Sequence, residues 1–281
     1  MASPETLSES ARAVRQQDRD RFATALFAPA DRREALFVLY AFNLEIARAR
    51  ELVREPMLGR IRLQWWRDSL DKVYAGADAG APLADALAKV ITRHDLPRAE
   101  FEALLEAREA DMESDPPADL AALEAYAEGT SATLTRLAAR VLGGDGEAVM
   151  AAARHVGIAW ALTGLLRAVP FHAAQGRLYL PGALLDRHGV GADQVLAGKG
   201  GEGLAAVGGA IAEAARGHLA AARRSRRGIS KSVIPALLTA PLADAYLRGL
   251  DRAGGNLFDG NWSTPRPRPL ALVWAMTTGR F

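Results

Sequence analysis

Along most of the chain, apolar residues recur at three and four positions, and the two-residue alternation of a half-buried strand is scarce. In "DRREALFVLYAFNLEIARARELV" the stripe runs through Leu36, Leu39, Tyr40, Leu44 and Ala47. It predicts one long helix entered near Asp31, with Asp31 and Glu34 at capping-box spacing. "MLGRIRLQWWRDSLDKVYAG" predicts a second helix, closed by Gly76. "PLADALAKVITRHD" and "PRAEFEALLEAREADMESD" each open at a proline, which is well tolerated in a first helical turn. "DLAALEAYAEGTSATLTRLAARVLGG" reads as one further helix. Its small residues from Gly129 to Ala132 let another element approach the backbone closely.

"EAVMAAARHVGIAWALTGLLRAV" is apolar on every side, the mark of a helix in the middle of a bundle. No apolar run is expected to reach the ~18 residues of a membrane-spanning helix. "GGEGLAAVGGAIAEAARGHLAAARRSRRG" reads as a surface helix ending in the basic cluster Arg223 to Arg227, and "SVIPALLTAPLADAYLRGLDRAG" closes the bundle. A Pro-Arg repeat and a short apolar segment form the tail. With no polar linker and no internal repeat, the expectation is one all-α domain over residues 1–281, a helical bundle. The first ~17 residues and the tail 256–281 are expected at its periphery.

Composition narrows the function classes. Apolar residues are 49% of the 281, enough for a substantial core, and the net charge is only +2. No arginine-rich arm, zinc finger or RNA-binding aromatic motif is present, so no nucleic-acid partner is expected. The absence of cysteine excludes disulfides, thiolate metal sites and cysteine nucleophiles. The N-terminus lacks the apolar core of a signal peptide, and Glu5, Glu9, Asp18 and Asp20 argue against a transit peptide. The expected location is cytoplasmic, at most peripheral at the inner membrane. "GKGGEG" lacks the spacing of a phosphate-binding loop.

"LYAFNLEIARARE", "LQWWRDSL" and "GIAWALTGLLRAVPFHAAQGRLYLP" together resemble the squalene and phytoene synthase family, with weaker similarity from roughly Asp18 to Leu250. The resemblance implies a bundle of the isoprenoid synthase type around a deep apolar cavity. In active members that cavity condenses two prenyl diphosphates head to head. Two aspartate-rich motifs hold the magnesium ions that neutralise the leaving diphosphate.

At the first motif this chain has Ala47, Arg48 and Glu51. At the second it has Ala161 and Gly164 for the amides, and Ala168 and His172 for the acids. Of the metal-ligand positions only Glu51 keeps a carboxylate, and histidine is a poor magnesium ligand. No catalytic residue, metal or cofactor is therefore expected. Arg167 and Arg177 match family positions and Arg48 is added, so Arg48, Glu51, Arg167, His172, Arg177 and Tyr40 are the candidates for holding an anionic or lipid ligand. Arg167, in an apolar run, is expected to hold either an internal ion pair, with Glu51 as the candidate partner, or a ligand, and Trp65 and Trp66, being adjacent, cannot share a helix face.

A degenerate branch of this family serves the assembly of respiratory complex I, and "LYAFNLEIARARE" with its single terminal acid, "LQWWRDSLDKVY" and, least specifically, the tail "RPRPLALVWAMTTGRF" are similar to it. That resemblance implies a pseudoenzyme whose partner is an assembly intermediate or a membrane surface. An active transferase with an atypical site and a non-catalytic isoprenoid or lipid carrier are the alternatives.

Overall fold

The computed structural model describes residues 7–51, 55–265 and 268–281, and every regular element among them is helical. Two short helices, α1 (Glu9–Gln17) and α2 (Arg19–Ala25), begin at side-chain caps. Ser8 Oγ accepts from Ala11 N at 3.0 Å, and Asp18 Oδ1 accepts from Arg21 N at 2.9 Å. Ala11 and Val14 are fully buried where α1 packs on α3 (Ala30–Ala47). From Glu9 onward, then, the N-terminal residues belong to the bundle and are not peripheral to it.

Helix α3 starts behind Pro29 with no side-chain cap. Asp31 sits inside its first turn, where a carboxylate favours the helix dipole, and does not cap it. The helix also stops at Ala47, earlier than the sequence pattern predicts. Arg48 N and Ala49 N donate to Leu44 O and Ile46 O, and Ala49 turns inward to 1% exposure beside α4 (Pro56–Tyr74). Burying Ala49 against α4 redirects the chain, so Arg48 to Glu51 form a turn. Val53, the end of the expected helix, lies outside the described residues.

The tryptophan pair divides as its spacing requires. Trp66 is buried, edge-on to Phe42 at 4.8 Å, and Phe42 meets Phe101 at 5.6 Å; Trp65 is half-exposed. Helices α5 (Pro82–His94) and α6 (Arg98–Glu109) follow their prolines as expected. The next predicted helix is broken in three: α7 (Leu120–Ala127), a π turn over Glu128–Ala132, and α8 (Thr133–Val141). Thr133 N donates back to Glu128 O, the five-residue step of that turn.

The small residues there do receive another backbone. The 28-residue α9 (Glu147–Ala174) crosses at the π turn, where a Cβ on Gly157 would lie 2.3 Å from Ala132 Cα. Pro170 removes one hydrogen bond without ending the helix. By length and a mean hydropathy of 1.4, α9 is long and apolar enough to cross a membrane, contrary to the sequence expectation, yet 61% of that window is buried inside the bundle.

Two short helices, α10 (Gly182–Arg187) and α11 (Ala192–Leu196), lead to α12 (Glu202–Arg224), which lies along α9 with Leu204, Val207, Ile211 and Leu219 inward. Then come α13 (Ile234–Leu237), α14 (Thr239–Arg252), α15 (Gly260–Ser263) and α16 (Pro269–Thr278). The tail is partly built in, since Leu257, Trp262, Leu272 and Ala275 are buried. Arg266 and Pro267 of the Pro-Arg repeat lie outside the described residues.

Candidate functional site

The end of α3, the π turn and the C-terminal half of α9 border a partly open cavity of about 250 Å³. Seven residues singled out from sequence border it: Ala47, Glu51, Ala161, Gly164, Ala168, His172 and Arg177. Arg177 reaches it through the way α9 ends. Gly176, at φ +69°, takes the left-handed conformation, Gly176 N donates to Ala173 O at 3.0 Å, and Arg177 N donates to His172 O at 2.9 Å. Beyond this, Gly182 N and Ala183 N donate to Pro117 O and Ala118 O at 2.9 Å, tying the "GRLYLP" segment to the loop before α7.

Three candidates lie outside the cavity lining. Arg48 turns away, donating to Gln17 Oε1 at 2.5 Å and pairing with Glu51 at 3.6 Å. Tyr40 is buried with the Arg21 guanidinium 5.8 Å from its ring, and burial pushes its hydroxyl up to about 12. Arg167 pairs with Asp20 at 3.3 Å, and not with Glu51, the candidate partner from sequence. Its Nε donates to Ser263 O at 3.0 Å, and the guanidinium lies 3.7 Å from the Tyr246 ring centroid. Tyr246 in turn donates to Asp20 Oδ2 at 2.8 Å. Burial raises the Asp20 pKa, opposed by the Tyr246 hydrogen bond and the Arg167 charge. This guanidinium is satisfied inside the protein.

The structure adds residues to the site that sequence reasoning passed over. Asp111, 6% exposed, accepts on Oδ1 from the Tyr126 hydroxyl at 2.8 Å and the Tyr179 hydroxyl at 2.9 Å. Arg108 pairs with its Oδ2 at 3.3 Å and donates to the Tyr126 oxygen at 2.8 Å. Burial raises both tyrosine pKa values, so both hydroxyls stay protonated donors. The His172 ring lies 4.5 Å from the Tyr179 ring, and burial pushes its pKa down to about 4, keeping it neutral near pH 7. Arg108 and Asp111, three apart at a helix end, were the available local signal. Their tyrosine partners are remote in sequence.

Asn43, Arg108 and His172 border this cavity, and their Oδ1, Nε and Nδ1 atoms are buried with no hydrogen-bond partner among the described residues. A second chamber of about 490 Å³ shares Asp111, Tyr126, Arg177 and Tyr179 with the first. Arg50, Glu113 and Asp115 are also on its wall.

Magnesium fits this donor set poorly. It needs several free oxygen ligands. Of the two carboxylates on the first cavity, Asp111 has both oxygens engaged by tyrosine and arginine donors, which leaves Glu51, itself paired with Arg48. Among the described residues no group of three or more His, Asp or Glu side chains is placed to hold a metal ion.

Comparison with known proteins sets this geometry in context. The squalene/phytoene synthase family model matches residues 14–269. The chain is 30% identical over 245 residues to NADH dehydrogenase (ubiquinone) complex I, assembly factor 6 of Bos taurus, covering 87% of this chain and 74% of that protein. It is 31% identical over 216 residues to the presqualene diphosphate synthase of Rhodopseudomonas palustris, covering 76% and 77%. Its fold matches the crystal structure of squalene synthase HpnC from Alicyclobacillus acidocaldarius with a TM-score of 0.77 at 22% identity, over 88% of this chain and 93% of that one.

Proposed function

Because the chain belongs to the squalene/phytoene synthase family, we propose that it is a non-condensing member that assists assembly of respiratory complex I. The observation that carries this reading is the convergence of Ala47, Ala168 and His172 on one cavity at positions where active relatives are expected to place metal-binding acids. Without those acids the family's diphosphate ionisation has nothing to draw off the developing charge. The likeness to complex I assembly factor 6 supports the assembly role.

Binding without turnover fits what remains. Arg177 and neutral His172 line the cavity and are the groups left to bind one polar head group there. Deleting the gene should lower complex I activity in isolated membranes, and the intact chain should restore it. Unchanged NADH:quinone oxidoreduction in the deletion strain refutes the assignment. The likeness to a presqualene diphosphate synthase favours a second reading, an active transferase with an atypical site. Release of diphosphate from farnesyl diphosphate and Mg²⁺, abolished by Glu51→Ala, would establish it.

A further inference from the structure

Helix α16 is packed on one side only. Leu272 and Ala275 face the bundle, whereas Leu270 is 84% exposed, Trp274 53% and Val273 46%. Residues 270, 273 and 274 fall three and four apart, so they share one outward stripe. Leu26, at the end of α2 and 46% exposed, lies beside the helix, where Leu26 and Phe27 form a common groove with Pro269 and the inward Leu272.

Charge says what this stripe suits. Residues 264–281 contain Arg266, Arg268 and Arg280 and no aspartate or glutamate. Arg280 is exposed and holds its guanidinium 6.0 Å from the Trp274 ring centroid, at the rim of the stripe, whereas Arg268, at the other end of the helix, turns inward with its guanidinium 5.9 Å from the buried Tyr246 ring. A helix face of aliphatic residues and tryptophan, with an exposed arginine beside the indole and no acid in the segment, suits an anionic lipid interface. The aliphatic groups enter the acyl boundary, the indole sits at head-group level and the Arg280 guanidinium meets phosphate.

A second exposed apolar stripe, Met57, Leu58, Ile61 and Trp65 on α4, lacks this charge pattern. The arginines around it are closed by carboxylates of the same chain: Arg62 by Glu45 at 3.1 Å, Arg60 by Glu113 at 2.6 Å and Arg67 by Glu109 at 2.9 Å. It offers an anionic surface little net attraction and serves as the control.

We propose that α16, together with Leu26, docks this protein on an anionic lipid surface. The proposal goes beyond the assembly reading, since vesicle binding is measured without complex I. The test is co-sedimentation of the full chain with phosphatidylglycerol/phosphatidylcholine vesicles and with phosphatidylcholine vesicles, at low and high salt. Binding should favour the anionic vesicles by about tenfold or more and weaken at high salt. Leu270→Ser/Trp274→Ser should reduce it by about tenfold, and Arg280→Glu by several-fold with the apolar stripe intact. Ile61→Ser/Trp65→Ser should leave it unchanged. Matching circular dichroism establishes that each variant is folded, and Arg280→Glu keeps the test decisive if the double variant is not. Three outcomes overturn the proposal: no vesicle binding, unaltered binding by the α16 variants, or self-association through α16 in place of lipid binding. In each case a complex I defect on gene deletion would leave the assembly reading standing.

Discussion

Arg167 shows what a single residue can hide. It interrupts an apolar run and matches a family position, which drew attention to it from sequence, but its partner Asp20 lies 147 residues away and no local pattern links the two. A buried arginine without its carboxylate is costly, as is the converse. Arg167→Met should destabilise by about 3–5 kcal/mol, because Asp20 keeps only the Tyr246 hydrogen bond. Adding Asp20→Asn should recover much of that loss in urea denaturation; losses that simply add would show that the pair is not coupled. His172 gives a pH dependence. Its folded pKa of about 4 lies below the ordinary 6.5, so as pH falls the unfolded chain takes the proton first. Stability should drop between pH 6.5 and 4 by up to about 3 kcal/mol from this group. His172→Leu should flatten that part of the profile, and an unchanged slope between pH 7 and pH 4.5 would refute the assignment.

Among the elements, helix existence and order were legible because the 3.6-residue period extends over long stretches. Helix ends were less so. Nothing in "NLEIARARELV" announces that Ala49 will turn inward against α4, since that depends on packing between helices. The π turn was equally hidden, although its small residues marked the place where α9 crosses. That crossing makes two glycines of α9 behave oppositely. A Cβ at Gly157 would strike Ala132 backbone at 2.3 Å, whereas at Gly164 it meets nothing within 4 Å. Gly157→Ala should therefore cost about 3 kcal/mol or more, while Gly164→Ala should add about 0.5–1 kcal/mol by restoring helix propensity. Thermal unfolding distinguishes them, and equal effects would mean that the close approach is not structural.

At the scale of the whole molecule, α9 contacts α7, α8, α12, α13 and α14, α8 in turn packs on α3, α5 and α6, and the buried apolar residues of all of them form one core. Far-UV circular dichroism and tryptophan fluorescence should therefore report one coincident transition in urea, the five tryptophans being spread from Trp65 to Trp274. Two separated transitions would show independent units. The family was legible because the motif remnants keep their order and spacing. The polar floor of the cavity was not, because Asp111, Tyr126 and Tyr179 meet only in the folded chain. The cluster of Asp20, Arg167, Tyr246 and Ser263 also constrains the order of events during synthesis. Tyr246 follows Asp20 by 226 residues, and at roughly 5–20 residues per second it leaves the ribosome about 10–45 s later. Throughout that interval Asp20 lacks the tyrosine that will seal it. The N-terminal helices therefore wait, with an acid still facing water, for almost the last part of the bundle to be made.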